Sequence, residues 1–425
     1  MATTMGRRTS APDNNSTDKL FKSAQLGNKE DVIQALNDGA AVNGPNYKEI
    51  VSNPLLSAAT RGHTDIVIIL LDRGAKIDIV NKHGHQALHL AGRNNRVAVL
   101  RELIKRNAPL NTQDYNGYTA LQSAARSGNV LIVQLLVKAG AKTDLEDHKG
   151  YTVLTSASRA GHYEVVEEIL NNDPACKDRA DDKGYAALHC AARSGDHLVV
   201  EALLRHKCKK DAIINTGETA LHLAARNNRL AVCRELLQHQ VALDIQDYQG
   251  YTPLQSASRS GFDLVVQLLL KAGARTDLHD HNGYTALTSA ARSGYDKVVE
   301  EIVSYDPKCA DAADDRGYTA LHCAARSGHH LVVEVLVKKP QCNKHALTTH
   351  KETALHLAAR DGKKEVIETL VQYGIDVSMK DNRGKVAQDY LTTDNENYIH
   401  IQSLVDDRNK KGSKHVSRKL KSTHI

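Results

Sequence analysis

The sequence predicts an all-α repeat fold, a solenoid of stacked helix-turn-helix units joined by β-turn loops. Three observations predict it. A turn glycine recurs at Gly84, Gly117, Gly150, Gly184, Gly217, Gly250, Gly283, Gly317 and Gly384, at spacings of 33 or 34 residues once Lys351 is placed in the one gap. Each is followed by a variant of Y-T-A-L-H-x-A-A-R-S-G, as in GYTALQSAARSG at 117–128, GETALHLAARNN at 217–228 and GYTALHCAARSG at 317–328. A second apolar run follows, as at 130–137 and 264–270, and then often K-A-G-A and an extended D-x-x-G turn. Self-similarity at such a period is the mark of a repeat architecture.

The elements follow in order within one unit. Leu121, Ala124 and Ala125 stand at i, i+3 and i+4, one face of a short first helix. The small alanine pair lets a neighbouring helix approach closely. Gly128 supplies a left-handed turn between the helices, and Asn95 and Asn228 substitute for it in their units. Ile132, Val133, Leu135 and Leu136 form a second helix that covers the first, and Gly140 and Gly273 end such helices. One unit is too thin to bury both of its faces, so neighbours must stack into a continuous core.

Period 33 with T-A-L-H-x-A resembles the ankyrin repeat family. The resemblance covers about residues 16–405, with about twelve units, of which 384–405 is truncated. It implies an ankyrin-type α-solenoid between a disordered segment at 1–15 and a basic disordered tail at 406–425. The first unit lacks the motif and shows Lys19, Lys22, Asn28 and Lys29, as a polar cap would; the last, GKVAQDYL, has lost the Leu-His core. Tetratricopeptide repeats compete at period 34 but need a Trp/Gly/Tyr/Pro pattern absent here. The motif histidine stands at His89, His189, His222, His322 and His356, and is replaced by Gln122, Gln255, Thr155 and Thr288 elsewhere. All can hydrogen-bond, so the position reads as a satisfied buried polar group rather than a metal ligand or base. Ala186 replaces the turn threonine and is expected to loosen its unit slightly.

Composition agrees. Of 425 residues 41% are hydrophobic and 25% charged, which fits a folded chain rather than a disordered one. There is no Trp and only Phe21 and Phe262, so Leu, Ile, Val and Ala must fill the core, as suits thin layers of short helices. No apolar run reaches membrane-spanning length, and the N-terminus has no apolar stretch of a secretory signal. Seven cysteines without C-x-x-C spacing read as free thiols of a reducing compartment, and the expected location is cytoplasmic.

A second period lies above the first. Residues 84–216 match 217–350 at an offset of 133 or 134, including loop residues: QDYNGYTALQSAARSG at 113–128 answers QDYQGYTPLQSASRSG at 246–261. Duplicated four-unit blocks either present one surface twice, with avidity for a repeating partner, or merely copy everything a gene duplication copies.

In the ankyrin family the turn tips and the exposed side of the first helix line a concave groove. By that resemblance the groove carries an arginine column, Arg93, Arg126, Arg159, Arg193, Arg226, Arg259, Arg292, Arg326 and Arg360, and a tyrosine column, Tyr118, Tyr151, Tyr185, Tyr251, Tyr284 and Tyr318, with Tyr115 and Tyr248 at turn tips. Helix layers pack about 8–10 Å apart, so nine arginines span roughly 70–80 Å. Tyr and Arg favour interface hot spots, and spaced guanidiniums suit an acidic or phosphorylated segment. Against this, Asp114, Asp147, Asp181, Asp247, Asp280 and Asp314 precede the turn glycines and can neutralise the arginines, or Arg can stack on Tyr and only stiffen the array.

The formal charge of +6 resides in the tail: 408–425 holds seven basic and no acidic residues, which leaves −1 for 1–407. Such a tail reads as a nuclear-import or acidic-membrane signal or as a solubilising segment; without aromatic interleaving it does not support specific nucleic-acid binding. The terminal Ser422-Thr423-His424-Ile425 resembles a ligand for PDZ domains, through Thr423 and Ile425, and Arg7-Arg8-Thr9-Ser10 resembles a basophilic kinase site. No Walker loop, G-x-S-x-G elbow, H-E-x-x-H or kinase signature is present, and no catalytic residue, metal, cofactor or small-molecule substrate is expected. The expected function is a non-enzymatic scaffold or adaptor binding a partner protein along the groove. The alternative is a regulatory or substrate-selecting subunit of an enzyme complex such as a phosphatase or ubiquitin ligase.

Overall fold

The computed structural model describes residues 14–44, 53–391 and 402. Among them are 22 α-helices, three short 3-10 turns and no strand beyond two isolated bridges, Ala180 to Ala186 and Ile213 to Thr219. The chain divides between Lys210 and Asp211 into two compact units.

The first unit contains six helix pairs: α1 (Asn14–Leu26) with α2 (Lys29–Asn37), α3 (Pro54–Arg61) with α4 (Thr64–Asp72), α5 (Ala87–Arg93) with α6 (Val97–Lys105), α7 (Ala120–Arg126) with α8 (Val130–Lys138), α9 (Val153–Ala160) with α10 (Tyr163–Asn172), and α11 (Ala187–Ser194) with α12 (His197–Arg205). The second contains five: α13 (Ala220–Arg226) with α14 (Leu230–Gln238), α15 (Pro253–Ser260) with α16 (Asp263–Lys271), α17 (Ala286–Ser293) with α18 (Asp296–Tyr305), α19 (Ala320–Ser327) with α20 (His330–Lys338), and α21 (Ala354–Arg360) with α22 (Lys364–Gln372). A 3-10 turn over Ala387–Tyr390 packs on α21 and closes the described array. Within each unit, first helices pack on the first helices of neighbouring pairs and second helices on second helices. Leu121, Ala124 and Ala125 of α7 and Ile132, Val133 and Leu136 of α8 are buried as expected. Each buried Leu or Ile contributes about 1.5–3 kcal/mol, and only neighbouring layers supply that burial. Lys19, Lys22, Asn28 and Lys29 at the first pair are exposed, as a cap requires.

The turns are set by aspartate. Asp114 Oδ1 accepts from the Asn116 and Tyr118 amides at 2.8 and 2.9 Å, and Gly117, at φ 84°, returns its amide to the Asp114 carbonyl at 2.9 Å. Asp147, Asp181, Asp247, Asp280 and Asp314 accept from the backbone in the same way. None of these aspartates forms an ion pair with a column arginine among the described residues; they accept from the turn amides, and their charge reaches the arginines only through space.

The first helices start on caps. Thr119 Oγ1 accepts from the Gln122 amide at 3.1 Å while Gln122 Oε1 accepts from the Thr119 amide at 2.8 Å. The motif histidines do the same work: His222 Nδ1 accepts from the Thr219 amide at 3.1 Å. Ala186 keeps only the second half of that exchange, its amide donating to His189 Nδ1 at 3.1 Å.

Two of the 34-residue repeats place their extra length in a 3-10 turn, Pro174–Asp178 and Pro307–Asp311, not foreseen from the sequence. Asp173 and Asp306 cap these turns and accept from the hydroxyls of Thr143 and Thr276, each at 2.6 Å.

Candidate functional site

Each column arginine lies at or next to the C-terminal end of a first helix, where a cation suits the helix dipole. Each column tyrosine immediately precedes the N-cap position of the same helix, eight residues earlier. All nine arginines are exposed and all six tyrosines are half-buried.

In the first unit Arg126 lies over the Tyr118 ring at 5.4 Å, Arg159 over Tyr151 at 5.3 Å and Arg193 over Tyr185 at 6.0 Å. In the second, Arg259 lies over Tyr251 at 5.2 Å, Arg292 over Tyr284 at 5.0 Å and Arg326 over Tyr318 at 5.9 Å. Arg259 also donates to the Tyr251 hydroxyl at 2.8 Å. Stacking orders the guanidinium planes of these exposed side chains, at about 0.5–1 kcal/mol for an exposed pair. Ordered donors lose less side-chain entropy when a ligand arrives. Burial pushes the phenols of Tyr118, Tyr151 and Tyr251 up, for Tyr118 with help from the Asp147 carboxylate, so they remain hydroxyl donors.

The remaining three arginines have no tyrosine. Glu218 takes its place against Arg226, at 3.2 Å, and Glu352 against Arg360, at 2.6 Å. Asp361 bridges two column members, 3.4 Å from Arg360 and 3.9 Å from Arg326. At Arg93 the position is held by His85, which turns instead to Asp114 at 3.1 Å. These glutamates and this histidine were missed in the sequence reading. The signal was available: GETALH, KETALH and GHQALH all replace the tyrosine of GYTALH, and the residue there decides whether the arginine is stacked, paired or left open.

Successive pairs enclose clefts. Tyr151, Arg159, Tyr185 and Arg193 wall one of about 220 Å³ together with Cys190 and Ser194. Tyr251, Arg259, Tyr284 and Arg292 wall another in the second unit, about 230 Å³, with Asp280 among its lining residues. A larger cleft of about 370 Å³ lies between Arg93 and Arg126. The face thus carries polar clefts between neighbouring column arginines. Thr423 and Ile425, the expected terminal ligand, lie outside the described residues, as does the basic tail.

The seven cysteines are buried and free, and burial pushes thiols such as Cys190 and Cys323 up to about 12. Burial also lowers the imidazoles of His89, His222 and His322, the last to about 4, and each ring bonds to backbone on both sides. No group of three or more His, Cys, Asp or Glu among the described residues is placed to hold a metal ion. No helix among them is long and apolar enough to cross a membrane.

Comparison with known families gives one result. A family model described as ankyrin repeats, in three copies, matches the chain in nine overlapping stretches that together run from residue 20 to residue 381. Ankyrin repeats are generally protein–protein interaction modules.

Proposed function

Because the chain belongs to the ankyrin repeat family, we propose that it is a non-enzymatic scaffold or adaptor that holds a partner protein along its tyrosine–arginine face. The observation that supports this reading is the stacking of six exposed guanidiniums on six tyrosines, one per repeat. Regularly placed, pre-ordered guanidinium edges select carboxylate or phosphate groups on an extended segment. The buried thiols and histidines have no part in it.

The array is taken to run over 16–405, and residues 406–425 to act separately, as a targeting segment for nucleus or acidic membrane or as a terminal peptide ligand. Deleting 408–425 and imaging the product tests that second role without touching the first.

Charge reversal tests the face itself. Arg193→Glu, Arg226→Glu and Arg259→Glu together are expected to abolish capture of the partner while the helical circular-dichroism signal persists. Undiminished capture by the folded triple variant refutes the assignment.

A further inference from the structure

The two sequence blocks repeat at an offset of 133, and most groove positions repeat with them: Arg93 answers Arg226, Asp114 answers Asp247, Tyr118 answers Tyr251 and Arg126 answers Arg259. Three lining positions differ: His83 and Asn116 answer Thr216 and Gln249, and one further change alters the formal charge. His85 stands where the second block has Glu218. The consequence is electrostatic. Glu218 holds Arg226 at 3.2 Å, with the carboxylate largely buried, so that guanidinium is engaged within its own repeat. His85 instead pairs with Asp114 at 3.1 Å, and Arg93 has no carboxylate within ion-pair distance among the described residues. With histidines neutral, Arg93, Arg126 and Asp114 leave one net positive charge. Arg226, Arg259, Glu218 and Asp247 leave none.

The open arginine faces a cavity of about 370 Å³, which also receives Arg126, the Tyr118 edge and the hydroxyl-bearing Ser123 and Ser127. That volume suits one side chain, at the lower end of ligand pockets. The lining offers guanidinium and hydroxyl donors, while its carboxylate is already occupied by His85 and two turn amides. A carboxylate ligand has two oxygens and one charge; a phosphate monoester has three free oxygens and a charge of about −1.5 to −2, and so uses more of the donors. A nucleobase finds no platform, because Arg126 covers the Tyr118 face at 5.4 Å.

We infer that the cleft between Arg93 and Arg126 receives a phosphorylated side chain of the bound partner segment, and that its duplicate at Arg226 does not. This rests on the groove reading and narrows it to one notch and one chemistry.

The test uses the full chain and degenerate peptide pools centred on phosphoserine, phosphothreonine or phosphotyrosine, with unphosphorylated and glutamate-centred pools beside them. Calorimetry is expected to give one phosphopeptide site per chain, with the glutamate pool bound at least about tenfold more weakly. Losing charge-assisted hydrogen bonds of about 1.5–3 kcal/mol corresponds to a tenfold or greater effect, so Arg93→Ala should weaken phosphopeptide binding by at least that factor. Arg226→Ala should leave it unchanged. Glu218→His, which frees Arg226, should raise the stoichiometry toward two. Arg93 is exposed, and circular dichroism checks that its variant is folded.

Equal losses at Arg93 and Arg226, equal binding of glutamate and phosphorylated pools, or no retained phosphopeptide each overturn the inference. So does binding of a single-stranded oligonucleotide in place of the phosphopeptides. A partner captured equally after phosphatase treatment, and equally by Arg93→Ala, removes this inference but leaves the groove reading standing. That reading falls instead if the triple charge reversal has no effect.

Discussion

His222 Nε2 donates to the main-chain carbonyl of Tyr251 at 2.9 Å, across 29 residues and from one repeat to the next. The same bond joins His89 to Tyr118 at 3.0 Å and His356 to Lys385 at 3.1 Å. Gln122 reproduces it with its amide, donating to the Tyr151 carbonyl at 2.8 Å. The motif histidine is thus an inter-repeat tie that requires one acceptor nitrogen, one donor nitrogen and no charge.

That requirement makes stability depend on pH. Burial lowers the His322 imidazole to about 4 in the folded chain, against about 6.5 unfolded. Above pH 6.5 neither state binds the proton, and the full stability is present. As pH falls from 6.5 toward 4 the unfolded chain takes up the proton first, and roughly 3 kcal/mol is lost at this site. His89 and His222 shift in the same direction. Thermal denaturation should therefore show Tm falling over this window. His322→Gln, which copies Gln255 in the second unit, should hold Tm near pH 7 and flatten the fall. A pH profile identical to the parent would refute the assignment.

Ser158 and Ser258 occupy the place filled by Ala125 in α7 and are fully buried. Neither hydroxyl has a hydrogen-bond partner among the described residues. An unpaired buried hydroxyl costs about 1–3 kcal/mol, and alanine is also the better helix former. Ser158→Ala and Ser258→Ala should each stabilise the chain by about 1 kcal/mol in urea denaturation. A loss of stability in both would mean that the hydroxyls are paired.

Two departures from the repeat motif have simple repairs. Lys351 adopts φ 57° where the other turns place glycine, and a side chain there costs about 1–2 kcal/mol. Part of that is returned through the freer unfolded glycine, so Lys351→Gly should gain roughly 0.5–1 kcal/mol. Ala186 has the extended backbone of its threonine counterparts, φ −83° and ψ 172°, but no hydroxyl to cap α11. Ala186→Thr should add about 1 kcal/mol. Unchanged denaturation midpoints for both would show that neither site limits stability.

The cysteines should behave as core atoms. All seven are buried and free, with Cys176, Cys208, Cys233 and Cys342 also pushed up to about 12 by burial. Thiolate is the reactive form, so labelling with a disulfide reagent at pH 8 should be slow in the native chain and reach seven equivalents only on unfolding. Rapid native labelling of Cys190, which borders a cleft, would show that its layer opens.

The helix pairs, the turn glycines and the structural role of the histidines were legible in the sequence because a periodic pattern repeats the same packing problem many times. Gly128 at φ 74° and Asn228 at φ 56° occupy the left-handed region as their positions implied. What was not legible lies in departures from the period. The 3-10 turn after Asp173 depends on one added residue, and Glu218 against Arg226 depends on a contact spanning the whole first helix, which no neighbour-to-neighbour pattern reports. The turn aspartates were visible as residues, but whether a carboxylate faces a guanidinium or its own loop amides is settled by a side-chain torsion.

The single-turn bulges at Pro174–Asp178 and Pro307–Asp311 show where this architecture absorbs added length. Each takes up its extra residue ahead of the turn, and the following Asp181–Tyr185 and Asp314–Tyr318 bonds still close at 2.7 and 2.8 Å. Foreign loops grafted at these two points should be displayed at the margin of their layers, while the tyrosine and arginine of the next helix keep their register. The duplication thus provides a matched pair of attachment points for reporters or binding peptides.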